Sequence, residues 1–161
     1  MTRISLLAVV ATAIGCDQVT KRVASTHLMG LPRQSYFGDA ARLEYAENRG
    51  AFLSLGDGLP FWARTALFSV GTAIILVACV VLALRSRWTI CPLLGLSLVF
   101  AGGTSNLVDR VARGTVIDFL NIGVGPLRTG IFNVADMAIM LGVLLLFIRQ
   151  GRDAEPDEHA A

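Results

Sequence analysis

Asp118 and Asp136 are the residues of this chain best suited to chemistry. They stand at the two ends of one connection between long apolar segments, where a carboxylate is costly and is by default a candidate functional residue. Because two adjacent negative charges are disfavoured, carboxylates that meet can share one proton. The ionised partner can take a proton from water, while the protonated partner polarises a peptide carbonyl and later protonates the leaving amine. The pair would titrate as a unit, so the sequence assigns the proton to neither residue.

The polar residues before Asp118 allow two interpretations. Asn106 and Arg110 are four residues apart and share a face if their helix continues through both. Arg110 either holds a substrate carbonyl or phosphate, or forms an ion pair with Asp109 or Asp118.

The residues before the fourth apolar segment are also open to two interpretations. Asn133 lies three residues before Asp136, where it can orient that carboxylate or cap a helix. Asp136 can itself be a structural carboxylate stabilised by the helix dipole. The second aspartate and its polar neighbours favour catalysis.

Other hydrolytic chemistries are poorly supplied. A serine–lysine dyad would have to use Lys21, the single lysine, and no serine stands favourably beside it. His27 and His159 are isolated, which argues against a serine–histidine pair and a zinc site. A net charge of +2 without a basic cluster argues against nucleic acid. We therefore expect no metal, cofactor or nucleic acid.

The cysteines lack disulfide and zinc spacing: Cys16, Cys79 and Cys91.

The composition predicts one integral membrane domain that is mainly α. Of 161 residues, 54% are hydrophobic and 16% charged, and the mean hydropathy is +0.63. Residues 25–60 are more polar and predict a small β platform with an amphipathic segment on the membrane surface, with a strand near residues 42–46. The tail, residues 153–161, is expected to be disordered. Four transmembrane helices are predicted, at about residues 4–24, 62–84, 88–108 and 131–149.

The first apolar segment has a competing interpretation. Its residues 13–16, Ala-Ile-Gly-Cys, loosely resemble the cleavage site of a lipoprotein signal peptide. A helix that continues past them is favoured because three more apolar segments follow. Asp17 and Lys21 are then four residues apart on one face, where a helix-end ion pair is the structural interpretation.

The charge distribution does not settle the orientation. Four spans put both termini on one side, which carries 5 of the 14 cations against 9 on the other. This count would place the termini outside. The first connection is long, however, and several of the nine cations on that side fall within the suspected site. The count is therefore inconclusive.

Five short motifs occur in the order and at the segment boundaries typical of one family. The chain resembles lipoprotein signal peptidase (signal peptidase II) over about residues 4–149. This resemblance implies an aspartyl protease of the bacterial inner membrane that cleaves just before a diacylglyceryl-modified cysteine. It also implies four helices, cytoplasmic termini, an active site at the outer leaflet with the platform on the outer membrane surface, and inhibition by the cyclic peptide globomycin; we expect a monomer. The motifs are residues 17–21, 48–51, 106–110, 116–119 and 132–136.

The resemblance assigns roles to individual residues. It implies that Asp118 and Asp136 are the catalytic pair. It also marks departures: Ser105 replaces a glycine, and Phe52 is bulkier than the family's usual residue. Asn48 and Gly50 would otherwise be interpreted as part of a turn. The residues expected to support the site or bind substrate are Asn106, Arg110, Asn133, Asp17, Lys21, Asn48 and Gly50.

Two non-enzymatic functions compete with hydrolysis. In a proton-coupled carrier subunit the aspartates would be relay groups. That function needs polar residues deep in the spans, and residues 65–84 offer few. In a membrane adaptor or lipid-binding module the carboxylates would be structural, and the protein would keep its activity when either one is replaced by asparagine.

Overall fold

The computed structural model describes residues 3–50, 60–85 and 89–152. Within these residues the chain is mainly helical and has a small antiparallel sheet. Phe52 and the tail at residues 153–161 lie outside the described residues. The elements are α1 (Arg3–His27), β1 (Gln34–Tyr36), β2 (Ala41–Asn48), α2 (Phe61–Arg85), α3 (Ile90–Arg113), β3 (Val116–Val124), β4 (Leu127–Arg128) and α4 (Val134–Arg152).

A helix lies at each of the four predicted apolar segments. Two stretches, Trp62–Arg85 and Ile90–Arg113, are long and apolar enough to cross a membrane. The apolar part of α4, Val134–Phe147, is shorter. Helix α1 is continuous, but its run of apolar residues is interrupted by polar residues near Asp17. Spanning by α1 and α4 therefore stays a prediction.

Two helices have bounds that differ from the predicted spans, for identifiable reasons. Helix α3 continues past the predicted end at residue 108 to Arg113, because the polar residues there face other elements rather than ending the helix. Gly114 then adopts a left-handed φ of 75° and donates its N–H to the carbonyl of Arg110, which closes the helix. Helix α4 begins at Val134 rather than near residue 131, because Asn133 caps it.

The sheet has the strand order β1-β2-β3-β4, and every neighbouring pair is antiparallel. The predicted strand at residues 42–46 lies within β2, whereas β3 and β4 lie outside the predicted platform at 25–60. The first residues of β3 are buried on both faces, so they lack the alternation that marks a half-exposed strand. The register pairs Asn48 with Val116 and Ala46 with Asp118. Strand β3 thus carries Asp118 to the end of β2.

Helix α3 is the central helix, in contact with α1, α2 and α4. Its glycines allow close approach of neighbouring helices because they have no side chain. A Cβ added at Gly95 would lie 2.7 Å from the carbonyl oxygen of Gly142, and one at Gly142 would lie 2.5 Å from that of Gly95. A Cβ at Gly102 would overlap the carbonyl oxygen of Ala135. Close backbone packing therefore fixes α4, which carries Asp136, against α3.

Gly142→Ala is expected to destabilise the protein by about 1–3 kcal/mol, because the added methyl group meets backbone atoms that cannot move independently. The matched control is Gly71→Ala on α2, where no atom lies within 4 Å of an added Cβ. That variant should be neutral or gain up to about 1 kcal/mol from helix propensity. Unfolding of both variants in detergent micelles tests the difference, and equal stabilities would contradict the close α3–α4 contact.

Candidate active site

Asp118 is the third residue of β3, and its side chain is 2% exposed. Asn133 Nδ2 donates to its Oδ1 at 2.6 Å, and Asn48 Nδ2 donates to its Oδ2 at 3.0 Å. Asn133 lies immediately before α4, and Asn48 is the last residue of β2. Each carboxylate oxygen is therefore held by an amide from a different element.

Asp136 is the third residue of α4 and is half-buried. Asn106 Nδ2 donates to its Oδ1 at 2.9 Å. The backbone N–H of Asn133 donates to Asp136 Oδ2 at 3.2 Å, while the backbone N–H of Asp136 donates to Asn133 Oδ1 at 3.0 Å. This reciprocal pair is a capping box in which Asn133 takes the place of the usual serine or threonine and Asp136 that of the usual glutamate or glutamine. The capping and orienting roles considered for Asn133 therefore occur together.

The side chain of Asn133 connects the surroundings of the two aspartates. Its Nδ2 contacts Asp118 and also lies 3.3 Å from Asn106 Oδ1, while the other end of the Asn106 amide contacts Asp136. Asn133 is fully buried and Asn106 is 5% exposed. Two adjacent amides therefore set the relative position of the two carboxylates.

Burial raises the pKa of Asp118 from its ordinary value of 3.8 to about 6. The hydrogen bond from Asn48 opposes this shift because it stabilises the ionised form. The nearby charge of Asp136 adds to it because two negative charges repel. Asp118 therefore retains its proton at pH values where an exposed aspartate has lost it.

A buried ion cluster lies behind Asn106. The ammonium of Lys21 is 2.7 Å from Asp17 Oδ2 and 2.8 Å from Asp109 Oδ2, and it donates to Asn106 Oδ1 at 2.8 Å. Asp17 and Lys21 are fully buried, and Asp109 is 1% exposed. The Asp17–Lys21 pair is thus an interior pair bonded to α3, not a solvated helix-end pair.

The cluster fixes the orientation of the Asn106 amide. An ammonium only donates hydrogen bonds, so Lys21 must face the amide oxygen. The amide NH₂ is then directed at Asp136, which can accept. Asp17 extends the same network to α4, because its Oδ1 accepts the backbone N–H of Ala135 at 2.7 Å.

Two members of this cluster were missed as site residues. Asp109 was considered as a partner of Arg110, whereas the structure pairs it with Lys21. Ser105, which was marked only as a departure from the family's glycine, donates to Asp17 Oδ2 at 2.7 Å and accepts from Gln18 Nε2 at 2.9 Å. The available signal was spacing: Ser105 and Asp109 are four residues apart on α3, as Asp17 and Lys21 are on α1.

Arg110 and Gly50 lie at the edge of this network. The charge of Arg110 acts on Asp136 and Asp118, yet among the described residues no carboxylate is within ion-pair distance of its guanidinium. Gly50 has a left-handed φ of 89° and donates its N–H to Asn48 Oδ1 at 2.9 Å. The structure therefore connects Gly50 to Asp118 through Asn48.

The described residues contain no group of three or more histidine, cysteine, aspartate or glutamate side chains arranged to hold a metal ion. The fold and the site together define a class of protein: an apolar, mainly helical protein that has two helices long enough to cross a membrane and an amide-linked pair of carboxylates. Residues 9–151 match the family described as Signal peptidase (SPase) II. The chain therefore belongs to the signal peptidase II family.

Similar proteins agree in sequence and in fold. The chain is 38% identical over 139 residues to a lipoprotein signal peptidase of Hydrogenovibrio crunogenus, covering 83% of this chain and 77% of the relative. It is 30% identical over 156 residues to one of Staphylococcus haemolyticus, covering 96% and 95%. A solved structure described as a bacterial membrane enzyme, determined in meso at 2.3 Å resolution, matches with a TM-score of 0.84 and 25% identity. That match covers 99% of this chain and 94% of the other.

Asp118→Asn is expected to change how stability depends on pH. Between about pH 4 and pH 6 the folded protein keeps an Asp118 proton that the unfolded chain has released, so stability falls as pH rises. Over this window the free energy of unfolding of the wild type should fall by roughly 3 kcal/mol relative to that of the asparagine variant, which has no such proton. Urea unfolding of both proteins between pH 4 and pH 7 measures the difference, and parallel curves would contradict the raised pKa.

Lys21→Met is expected to destabilise the protein by about 3–5 kcal/mol, because it leaves the carboxylates of Asp17 and Asp109 buried without their cation. The matched control is Arg22→Met, which removes a charge from the next, exposed position of α1. That change should remain within about 0.5 kcal/mol of the wild type. Thermal unfolding in micelles tests both variants, and comparable losses in the two would count against the buried cluster.

Proposed function

We propose that this chain is an aspartyl endopeptidase that removes signal peptides from prolipoproteins, with Asp118 and Asp136 as its catalytic pair. The observation that carries the proposal is the pair of carboxylates linked through Asn133 and Asn106. Membership of the signal peptidase II family supports the reaction, since the similar proteins are named lipoprotein signal peptidases. The same membership favours a peptidase over a carrier or an adaptor.

In the proposed reaction Asp118 begins protonated and Asp136 begins ionised. The raised pKa of Asp118 supports this assignment, as does the amide NH₂ of Asn106 that faces Asp136. Asp118 donates a hydrogen bond to the scissile carbonyl oxygen and polarises it, while water bonds to the carbonyl carbon and gives a proton to Asp136. The C–N bond then breaks as Asp118 gives its proton to the amine and the oxyanion re-forms the C=O bond. Transfer of the proton from Asp136 to Asp118 restores the starting state.

The residues around the pair have positioning and binding roles in this proposal. Arg110 binds a backbone carbonyl of the signal peptide, which fits a guanidinium near both aspartates that has no carboxylate partner among the described residues. Asn48, with Gly50 bonded to its side chain, keeps Asp118 in place. Asp17 and Lys21 hold Asn106, and so act on Asp136 through it.

The proposed setting is the bacterial inner membrane. All four helices span it, both termini are cytoplasmic, and the site faces the outer leaflet beneath a sheet that lies on the surface. The largely exposed apolar surface of α2 supports contact with lipid. In this arrangement the acyl chains of the substrate stay in the bilayer while the bond before its diacylglyceryl cysteine reaches the aspartates. We further propose that the enzyme acts as a monomer and that globomycin blocks the site.

Asp118→Asn and Asp136→Asn should each reduce cleavage of a lipidated prolipoprotein by the purified protein by about a thousandfold or more, because each removes a proton acceptor or donor. Asp39→Asn is the matched control. Its carboxylate pairs with Arg42 and Arg128 on the sheet, and we expect cleavage within about twofold of the wild type.

Folding of each variant is checked by thermal unfolding in the same detergent. Cleavage that persists in either catalytic variant would overturn the two-aspartate mechanism. A wild-type protein that leaves the substrate intact, while a known lipoprotein signal peptidase cleaves it, would overturn the proposed activity.

A further inference from the structure

Arg110 has a side chain that must be restrained by something other than an ion pair. Among the described residues its Nε is buried and has no hydrogen-bond partner, and no carboxylate lies within ion-pair distance. An arginine side chain carries about 2 kcal/mol of rotamer entropy, so a free one would sample many positions. A guanidinium that binds substrate must be restrained by a contact of another kind.

That contact is the ring of Phe68 on α2. The guanidinium carbon of Arg110 lies 5.9 Å from the ring centroid, within the range of a cation–π interaction. Such an interaction is stronger where water is excluded, and Arg110 is half-buried. Phe68 belongs to none of the five sequence motifs, and it is the described aromatic residue in contact with this cation.

The same ring also packs against the backbone at the end of β2. A Cβ added at Gly50 would lie 2.8 Å from Phe68 Cε2 and 3.0 Å from Cγ, so the ring occupies the space that a side chain there would need. Gly50 donates its N–H to Asn48, and Asn48 donates to Asp118. A continuous series of contacts therefore runs from Asp118 through Asn48, Gly50 and Phe68 to Arg110.

We propose that Phe68 is a positioning residue that holds the guanidinium of Arg110 in place for substrate and couples it to the end of β2. This inference rests on the proposed function and adds a residue to it. Helix α2 reaches the site through this aromatic contact. Signal-peptide binding through Arg110 then depends on how α2 packs.

The first test is steady-state cleavage by Phe68→Leu, which keeps an apolar side chain and removes the π face. Because a carbonyl contact made in both the ground and transition states affects binding uniformly, KM should rise roughly tenfold while kcat changes little. Phe68→Tyr keeps the ring and should restore the wild-type KM. Phe147→Leu, which removes an exposed ring from α4, is the matched control and should leave both constants unchanged.

A double-mutant cycle separates positioning from general packing. In an Arg110→Met background, Phe68→Leu should have no further effect on KM, because the residue that it positions is already gone. Additive effects in the cycle would overturn the proposal. If thermal unfolding shows that the Phe68→Leu variant does not fold, the Phe68→Met variant is used in its place.

The second test does not use turnover, so it distinguishes failure of this inference from failure of the proposed activity. Phenylglyoxal modifies accessible arginine side chains, and peptide mass mapping gives the rate at each residue. Arg110 should be modified several-fold faster in Phe68→Leu than in the wild type or Phe68→Tyr, since the ring no longer covers it. The exposed Arg22 is the internal reference. An unchanged Arg110 rate would overturn the positioning role, whatever the cleavage assay shows.

Discussion

The buried ammonium of Lys21 is the interaction on which the rest of the site depends. It contacts carboxylates from two helices, Asp17 on α1 and Asp109 on α3, which would otherwise repel each other in a medium of low dielectric constant. Removing one partner of such a buried arrangement leaves charge uncompensated, which is far more damaging than losing a surface pair. The same ammonium selects the orientation of Asn106, so helix packing and the environment of Asp136 have a common cause.

The proposed catalytic pair is positioned by amides. Asn48, Asn106 and Asn133 each have one donor and one acceptor end, and the structure uses both ends in every case. This gives a defined direction to each contact, which a purely ionic arrangement would lack. Asn133 also caps α4, so formation of the first turn of that helix brings Asp136 to its place. The three amides thus stand at the end of β2, within α3 and at the start of α4, where second contacts hold them.

The sequence predicted the helices better than it predicted the sheet or the site geometry. Long apolar segments reveal helices directly, whereas β3 begins with residues buried on both faces and was interpreted as part of a connection. The candidate residues were found through their charge, their spacing and the family motifs. Their contacts were not predictable, because Asn133 reaches Asn106 across 27 positions and Lys21 reaches Asn106 across 85. Phe68 gave no signal, since a phenylalanine within an apolar helix is ordinary.

The bond between Asp17 and the backbone of Ala135 has a consequence for the nascent chain. It joins α1 to the first turn of α4, across 118 positions. Until α4 emerges, Asp17 lacks this donor, Asn106 has no Asp136 to face, and Asn133 cannot bridge to Asp118. On the proposed function, a chain whose α4 has not yet docked therefore lacks a positioned pair of aspartates and would not hydrolyse its substrate.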